Sequence, residues 1–197
     1  MEFRPVGRAA VLVEVADSHE AVSLAAWARD RALAHDVVPG ARSVLLDGFA
    51  DRDTLAEVLG DWTPGEVEAG PEIELPVTYD GPDLDDVAAQ WGCDVDQVVA
   101  RHQRTEFVAA FCGFSPGFAY LEGLEVDVPR LSTPRTRVPA GSVALAGRWC
   151  GVYPTDSPGG WRIIGHTEAE LWDPARDRPA LLSPGTRVRF RDADRSS

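Results

Sequence analysis

Between Phe111 and Trp161 the chain carries eight of its 18 glycines and six of its 15 prolines. Glycine opens backbone angles closed to other residues, and proline fixes φ and removes a donor. Such density rules out long helices there and demands shaped turns between short strands. Shaped loops on a rigid scaffold are also where binding and chemistry concentrate.

The same region reverses the charge of the rest. From Val128 to Arg162 there are five arginines (130, 135, 137, 148 and 162) and a single acid, Asp156, in a chain of net charge −13. Residues 1–100 hold 21 acids and six arginines, and residues 101–197 hold 11 acids and 13 arginines. An acidic first half argues against nucleic acid or an anionic membrane as partner, since phosphate binding needs a basic footprint. All 19 basic residues are arginine. The chain therefore has no Walker A lysine, Schiff-base lysine or lysine base, and any anion held by a cationic side chain is held by a guanidinium.

The three cysteines (93, 112 and 150) suit neither a disulfide framework nor a zinc site, and they read as packing residues. Histidines 19, 35 and 166 lack metal-ligand spacing, so no metal is implied. No apolar run approaches the ~20 residues that cross a bilayer. The first residues, Met-Glu-Phe-Arg-Pro-Val-Gly, do not form a signal peptide, so the cytoplasm is the expected location.

Element patterns divide the chain. Residues 9–15 and 43–49 predict strands, as does the alternating stretch 73–79, where Pro76 demands an edge strand or a crossing between domains. Between them, Ser18 is the expected cap of a helix from His19 to about His35, and Asp51 or Asp53 that of a short helix from Thr54 to Leu59. This gives a small α/β unit of order β-α-β-α-β over residues 1–79. Asp80-Gly81-Pro82 is turn chemistry and opens the second domain, 80–197. Asp83 and Asp94 are expected to cap two short helices, the first stopped by Gly92. Phe107–Cys112 is apolar on both faces and predicts a fully buried strand. Short strand candidates follow at 142–146, 151–153, 161–165, 170–172 and 186–191, a pattern of barrels and sandwiches. The tail from Asp192 to Ser197 is expected to fray. The fold class is thus α+β, an N-terminal α/β unit followed by a β-barrel domain.

Ser115 precedes a proline and sits in no nucleophile elbow, which argues against serine catalysis. Phe114, Phe118 and Tyr120 can wall a pocket or pack in a core. Arg135 and Arg137, if extended, share one face, and two adjacent guanidiniums require a bound anion or nearby acids. Glu122, Glu125 and Asp127 are the acids nearest upstream. Ser157-Pro158-Gly159-Gly160 offers backbone amides to a carboxylate or phosphate. His102 lies on the apolar face of its helix, which fits a core histidine or a proton-transfer group beside the loops.

Four ordered motifs carry a resemblance. They are Gly-Phe-Ser-Pro-Gly-Phe-Ala-Tyr-Leu (113–121), Thr-Pro-Arg-Thr-Arg-Val-Pro-Ala-Gly-Ser-Val (133–143), Tyr-Pro-Thr-Asp-Ser-Pro-Gly-Gly-Trp (153–161) and Leu-Leu-Ser-Pro-Gly-Thr-Arg-Val-Arg-Phe (181–190). With the 79–84 turn and His102, this region resembles the family of 5-oxoprolinase B subunits. That family is also called the KipI family, or allophanate hydrolase subunit 1. Two departures are Ala119, where proline is more usual, and an acidic stretch from Glu122 to Val128 expected at the pocket rim.

The resemblance implies a cyclophilin-like barrel that works with a homologous barrel, the C subunit, and with a third protein, the A subunit. Together they open 5-oxoproline to glutamate at the expense of ATP. It implies catalytic roles for His102, Arg137 and Tyr153. Substrate or anion binding falls to Phe114, Pro116, Gly117, Phe118 and Tyr120 of the first motif, and to Arg135, Gly141 and Ser142 of the second. Ser157, Gly159 and Gly160 complete the set. Similar paired domains in urea carboxylase move a carboxyl group onto urea, and one branch of the family inhibits a sensor histidine kinase. Those are the competing readings.

Overall fold

The computed structural model describes residues 2–49, 51–65 and 70–194. The chain forms two compact units, Met1–Ala69 and Gly70–Ser197.

The first unit is a four-stranded antiparallel sheet with two helices. Its elements are β1 (Glu2–Val6), β2 (Ala10–Glu14), α1 (Ser18–Asp30), β3 (Asp36–Pro39), β4 (Ser43–Asp47) and α2 (Arg52–Gly60), in sheet order β1-β2-β4-β3. Alternate residues Val11, Val13, Val44 and Leu46 meet Ala21, Leu24, Ala28 and Leu59 of the helices in a closed core. The expected β-α-β-α-β order is corrected to β-β-α-β-β-α. β1 escaped notice because it is exposed along its whole length, so no burial pattern marks it. Asp17, not Ser18, caps α1 by accepting from the Glu20 amide. That helix ends well before His35, which immediately precedes β3. Asp51 caps α2 as expected.

The second unit contains β5 (Glu72–Val77), α3 (Leu84–Trp91), α4 (Val95–Arg104), β6 (Phe107–Cys112), β7 (Ala119–Glu122), β8 (Arg135–Val138), β9 (Ser142–Ala146), β10 (Trp149–Val152), β11 (Ser157–Gly159), β12 (Arg162–His166) and β13 (Arg187–Asp192). Seven strands form one sheet in the order β12-β9-β10-β7-β6-β13-β5. Its two ends meet where Thr78 and His166 exchange backbone hydrogen bonds of 2.9 Å, so the sheet curls into a nearly closed barrel. β5 runs parallel to β13 at the sheet edge, as Pro76 requires. The sequence grouped this strand with the first unit, whereas its ladder belongs to the second.

The sheet is buried on its inward face throughout, and on its outward face around β9 and β12. Inward residues such as Leu75, Phe107, Leu121, Val143, Leu145, Ile164 and Phe190 fill the barrel with α3 and α4. Outward residues of its strands, Ala144, Ala146 and Ile163, join Phe118, Val138, Tyr153 and Trp161 in a second cluster. Burying a side chain the size of Phe107 contributes about 2–3 kcal/mol. A two-stranded ribbon of β8 and β11 is separate from the main sheet. The 170–172 stretch makes only an isolated bridge, Trp172 to Ala180, and Val108 of β6 is exposed. Asp192 ends β13, and residues 195–197 of the expected frayed tail lie outside the described residues.

Candidate functional site

Asp80, Asp83 and Asp86 bring acids to the basic 128–162 region and resolve its charge reversal. The Asp83 Oδ2 accepts from the Ile163 amide at 2.7 Å, and its Oδ1 accepts from Arg135 Nη2 at 2.8 Å. Asp83 stands at the N-cap of α3 but makes no side-chain cap there, contrary to expectation. It is only 4% exposed, so its carboxylate is a buried charge satisfied by strand β12 and by one guanidinium. Asp86 pairs with Arg162, whose Nε also donates to the Pro129 carbonyl. Arg137 is held by Asp156, which also accepts from the Ala140 amide. These contacts hold the Asp156 carboxyl below its ordinary range, the Ala140 amide acting most strongly. The two arginines are thus paired with Asp83 and Asp156, not with Glu122, Glu125 or Asp127.

Both arginines line a cleft of about 450 Å³ with Asp80, Gly81, Pro82, Pro139, Ala140, Ser142, Ile163, Gly165 and His166. Ser142 is buried and donates its hydroxyl to the Pro139 carbonyl at 2.8 Å. Gly141 adopts φ +79°, and a Cβ there would collide with the Thr167 carbonyl oxygen, so only glycine fits. His166 was set aside in the sequence for lack of metal spacing. The structure puts it on the cleft wall, its Nδ1 2.9 Å from Asp80 Oδ1. The only sequence signal was a histidine closing a strand. Its partner lies far upstream in the 79–84 turn.

The aromatic candidates gather elsewhere, on the outward face of the sheet. Phe118 contacts Phe114, Tyr120, Tyr153 and Trp161 edge-on, with centroids 5.1–5.5 Å apart. Phe111 stacks on Tyr120 at 4.3 Å. Phe118 itself is a core residue, and Gly117 lies against Trp172 with φ +85°. Phe114 stands apart: its backbone adopts φ +70° and its side chain is 58% exposed. A bulky residue in left-handed backbone is strained by about 1–2 kcal/mol. Pro116 beside it is also exposed.

Tyr153 is buried in this cluster, with its pKa raised by burial, and its hydroxyl lies beneath Gly159. The 157–160 segment is not an open loop. Ser157 and Gly159 belong to β11 and pair with β8, while the Gly160 carbonyl accepts from the Leu131 amide. Ser157 directs its hydroxyl to the Thr155 carbonyl.

His102 is in a third place, the barrel interior. It is 0% exposed, stacks on Phe190 at 4.4 Å, and lies 2.8 Å from the Tyr79 hydroxyl and 3.4 Å from Cys150 Sγ. Burial lowers its pKa to about 3 and raises those of Tyr79 and Cys150. A neutral imidazole sealed among apolar side chains has no path to a substrate in the cleft. Gly123–Val126, expected at the pocket rim, line a different cavity with Trp91, Arg101 and Arg104.

A nearly closed barrel with a charged cleft at its seam defines a class of domain, and comparison with known proteins gives it a family. The chain belongs to the carboxyltransferase domain family, subdomain C and D, whose model matches residues 1–182. It is 35% identical over 206 residues to the 5-oxoprolinase B subunit of Haemophilus influenzae, covering 96% of this chain and 97% of that one. It is 53% identical over 123 residues to the 5-oxoprolinase B subunit of Escherichia coli O157:H7, covering 60% of this chain and 56% of the relative. The crystal structure of the protein TTHA0988 superposes with a TM-score of 0.81 at 35% identity, over 93% of this chain and 40% of that chain. The Kluyveromyces lactis urea amidolyase shares the fold, with a TM-score of 0.77 at 18% identity, over 96% of this chain and 14% of that one. The chain therefore matches about half of the Escherichia coli relative and less than half of TTHA0988.

Proposed function

We propose that this chain is the B subunit of an ATP-dependent 5-oxoprolinase that opens the lactam of 5-oxo-L-proline to L-glutamate together with its A and C subunits. The observation that carries this is the 35% identity to a 5-oxoprolinase B subunit over 96% of the chain. The cleft suits a small polar substrate: two guanidiniums, a histidine and a buried serine face a modest volume. Both guanidiniums already hold carboxylates, which fits ATP binding to the assembled complex rather than to this cleft alone.

Dependence on partners is supported by Phe114. A strained, exposed aromatic packed on Phe118 and Tyr153, in a cluster that half-buried Tyr120 and Trp149 also join, is a surface that the homologous barrel of the C subunit would cover. No described helix is long and apolar enough to cross a membrane. We place the complex in the cytoplasm, acting on a small molecule and on neither nucleic acid nor membrane.

The test is glutamate release from 5-oxoproline and ATP by this chain, by the A and C subunits without it, and by the three combined. Release only from the full mixture supports the reading. None from any mixture of folded proteins overturns it, in favour of kinase inhibition or carboxyl transfer to a urea-like amide.

A further inference from the structure

We infer that His166, oriented by Asp80, is the proton-transfer group of the cleft; the inference rests on the 5-oxoprolinase reading. The resemblance pointed to His102, and the structure seals that imidazole inside the barrel. His166 is the histidine on the cleft wall.

Its surroundings hold the ring in a defined state. The His166 backbone exchanges two 2.9 Å hydrogen bonds with Thr78 at the barrel seam, which fixes the position of its Cα. Asp80 opens a turn packed flush on β12: a Cβ at Gly81 would overlap the Ile163–Ile164 backbone. Asp80 Oδ1 accepts from Nδ1–H at 2.9 Å, so the basic lone pair is on Nε2. The nearest acid to Nε2 is Glu168 at 3.9 Å, and that side chain is 95% exposed. Nε2 therefore remains available to a ligand. The other charged groups on this cleft are Arg135 and Arg137, each tied to its own carboxylate, Asp83 and Asp156. A carboxylate fixing one imidazole nitrogen while the other faces the reacting atoms is the arrangement that general base catalysis uses.

The step balances. Nε2 takes a proton from water as the water oxygen bonds to the lactam carbonyl carbon. The carbon–nitrogen bond then breaks, and the departing nitrogen takes the proton back from Nε2. The imidazole ends neutral, and lactam plus water has become the open amino acid. Asp80 acts as a positioning residue.

The experiment is done on the reconstituted complex of all three proteins across pH 5–9, with assembly checked by gel filtration. H166Q is expected to lower kcat by at least ~100-fold while KM changes less than about threefold. D80N is expected to lower kcat by about tenfold while KM changes less than about threefold, as for a residue that positions the imidazole without touching substrate. Added imidazole should restore part of the activity of H166A. An H166Q complex with wild-type kcat and pH profile overturns the inference alone. An inactive wild-type complex overturns the functional reading on which it rests, and the inference with it.

Discussion

Asp83 and Arg135 form an ion pair of 2.8 Å in which the aspartate is almost fully buried. The pair ties the first turn of α3 to ribbon β8, and the second Asp83 oxygen pins strand β12 through Ile163. Removing one member of such a pair leaves an uncompensated buried charge, at a cost of about 3–5 kcal/mol. Arg135→Ala should therefore lower the unfolding free energy of the chain by about that much in urea. Loss below about 1 kcal/mol would mean that water replaces the guanidinium.

Arg137 is predicted to behave in the opposite way. Its pair with Asp156 is largely exposed, and water screens such a pair so that it adds little to stability. Arg137→Ala should unfold at nearly the same urea concentration as wild type, yet lose at least about tenfold in kcat/KM in the assembled complex if it holds the substrate carboxylate. Full activity would remove Arg137 from the site.

His102 makes stability depend on pH. The folded protein keeps this imidazole neutral down to about pH 3, whereas in the unfolded chain it takes a proton near 6.5. The unfolded state thus binds more protons between those values. The His102 contribution is intact above about pH 6.5 and declines as the pH falls toward 3. His102→Gln should be less stable at pH 7 by about 2 kcal/mol, because Tyr79 and Cys150 lose their partner. Its stability should also fall less steeply than wild type between pH 6.5 and 4.5. Parallel curves would show that the proton is accommodated without unfolding.

A methyl group at Gly159 would strike the Tyr153 hydroxyl and lie 2.9 Å from its Cζ. Gly159→Ala should cost about 1–3 kcal/mol by overpacking. Tyr153→Phe should recover part of that loss in the double variant, since the ring remains but the hydroxyl is gone. Additive losses would place the clash elsewhere.

Phe114→Gly releases the left-handed strain but surrenders edge contacts to Phe118 and Tyr153. The isolated chain should stay within about 1 kcal/mol of wild type. Affinity for the proposed partner, a C subunit, measured by titration calorimetry, should fall at least about tenfold, as for an exposed aromatic anchor. Unchanged affinity would take Phe114 out of the interface.

What could be read in the sequence was local. Gly92 ends α3 in left-handed backbone, and Asp94 with Gln97 closes a capping box on α4, because each depends on residues within a turn. β6 announced itself by its apolar run, and β9 as a short strand candidate between turns. Asp83 misled for the opposite reason: its position matches a cap, but its carboxylate is claimed by Arg135 and Ile163, whose approach depends on tertiary packing. Arg135 and Arg137 were legible as a pair needing counter-charge, whereas the identity of those acids was not. His166 stayed hidden because Asp80 reaches it only when the barrel closes. The ribbon of β8 and β11 was masked by its prolines and glycines, which read as turns.

The placement of β13 bears on how the protein is made. β5 leaves the ribosome early in the second unit, and its ladder partner, β13, leaves after every other strand of the barrel. Throughout that interval β5 and β6 each lack β13, the strand that pairs parallel to the first and antiparallel to the second. Long-range pairing of this kind folds slowly and exposes nascent chains to sticking. The barrel of this protein is thus completed only after β13 has been translated, and demand on cellular chaperones should peak just before that point.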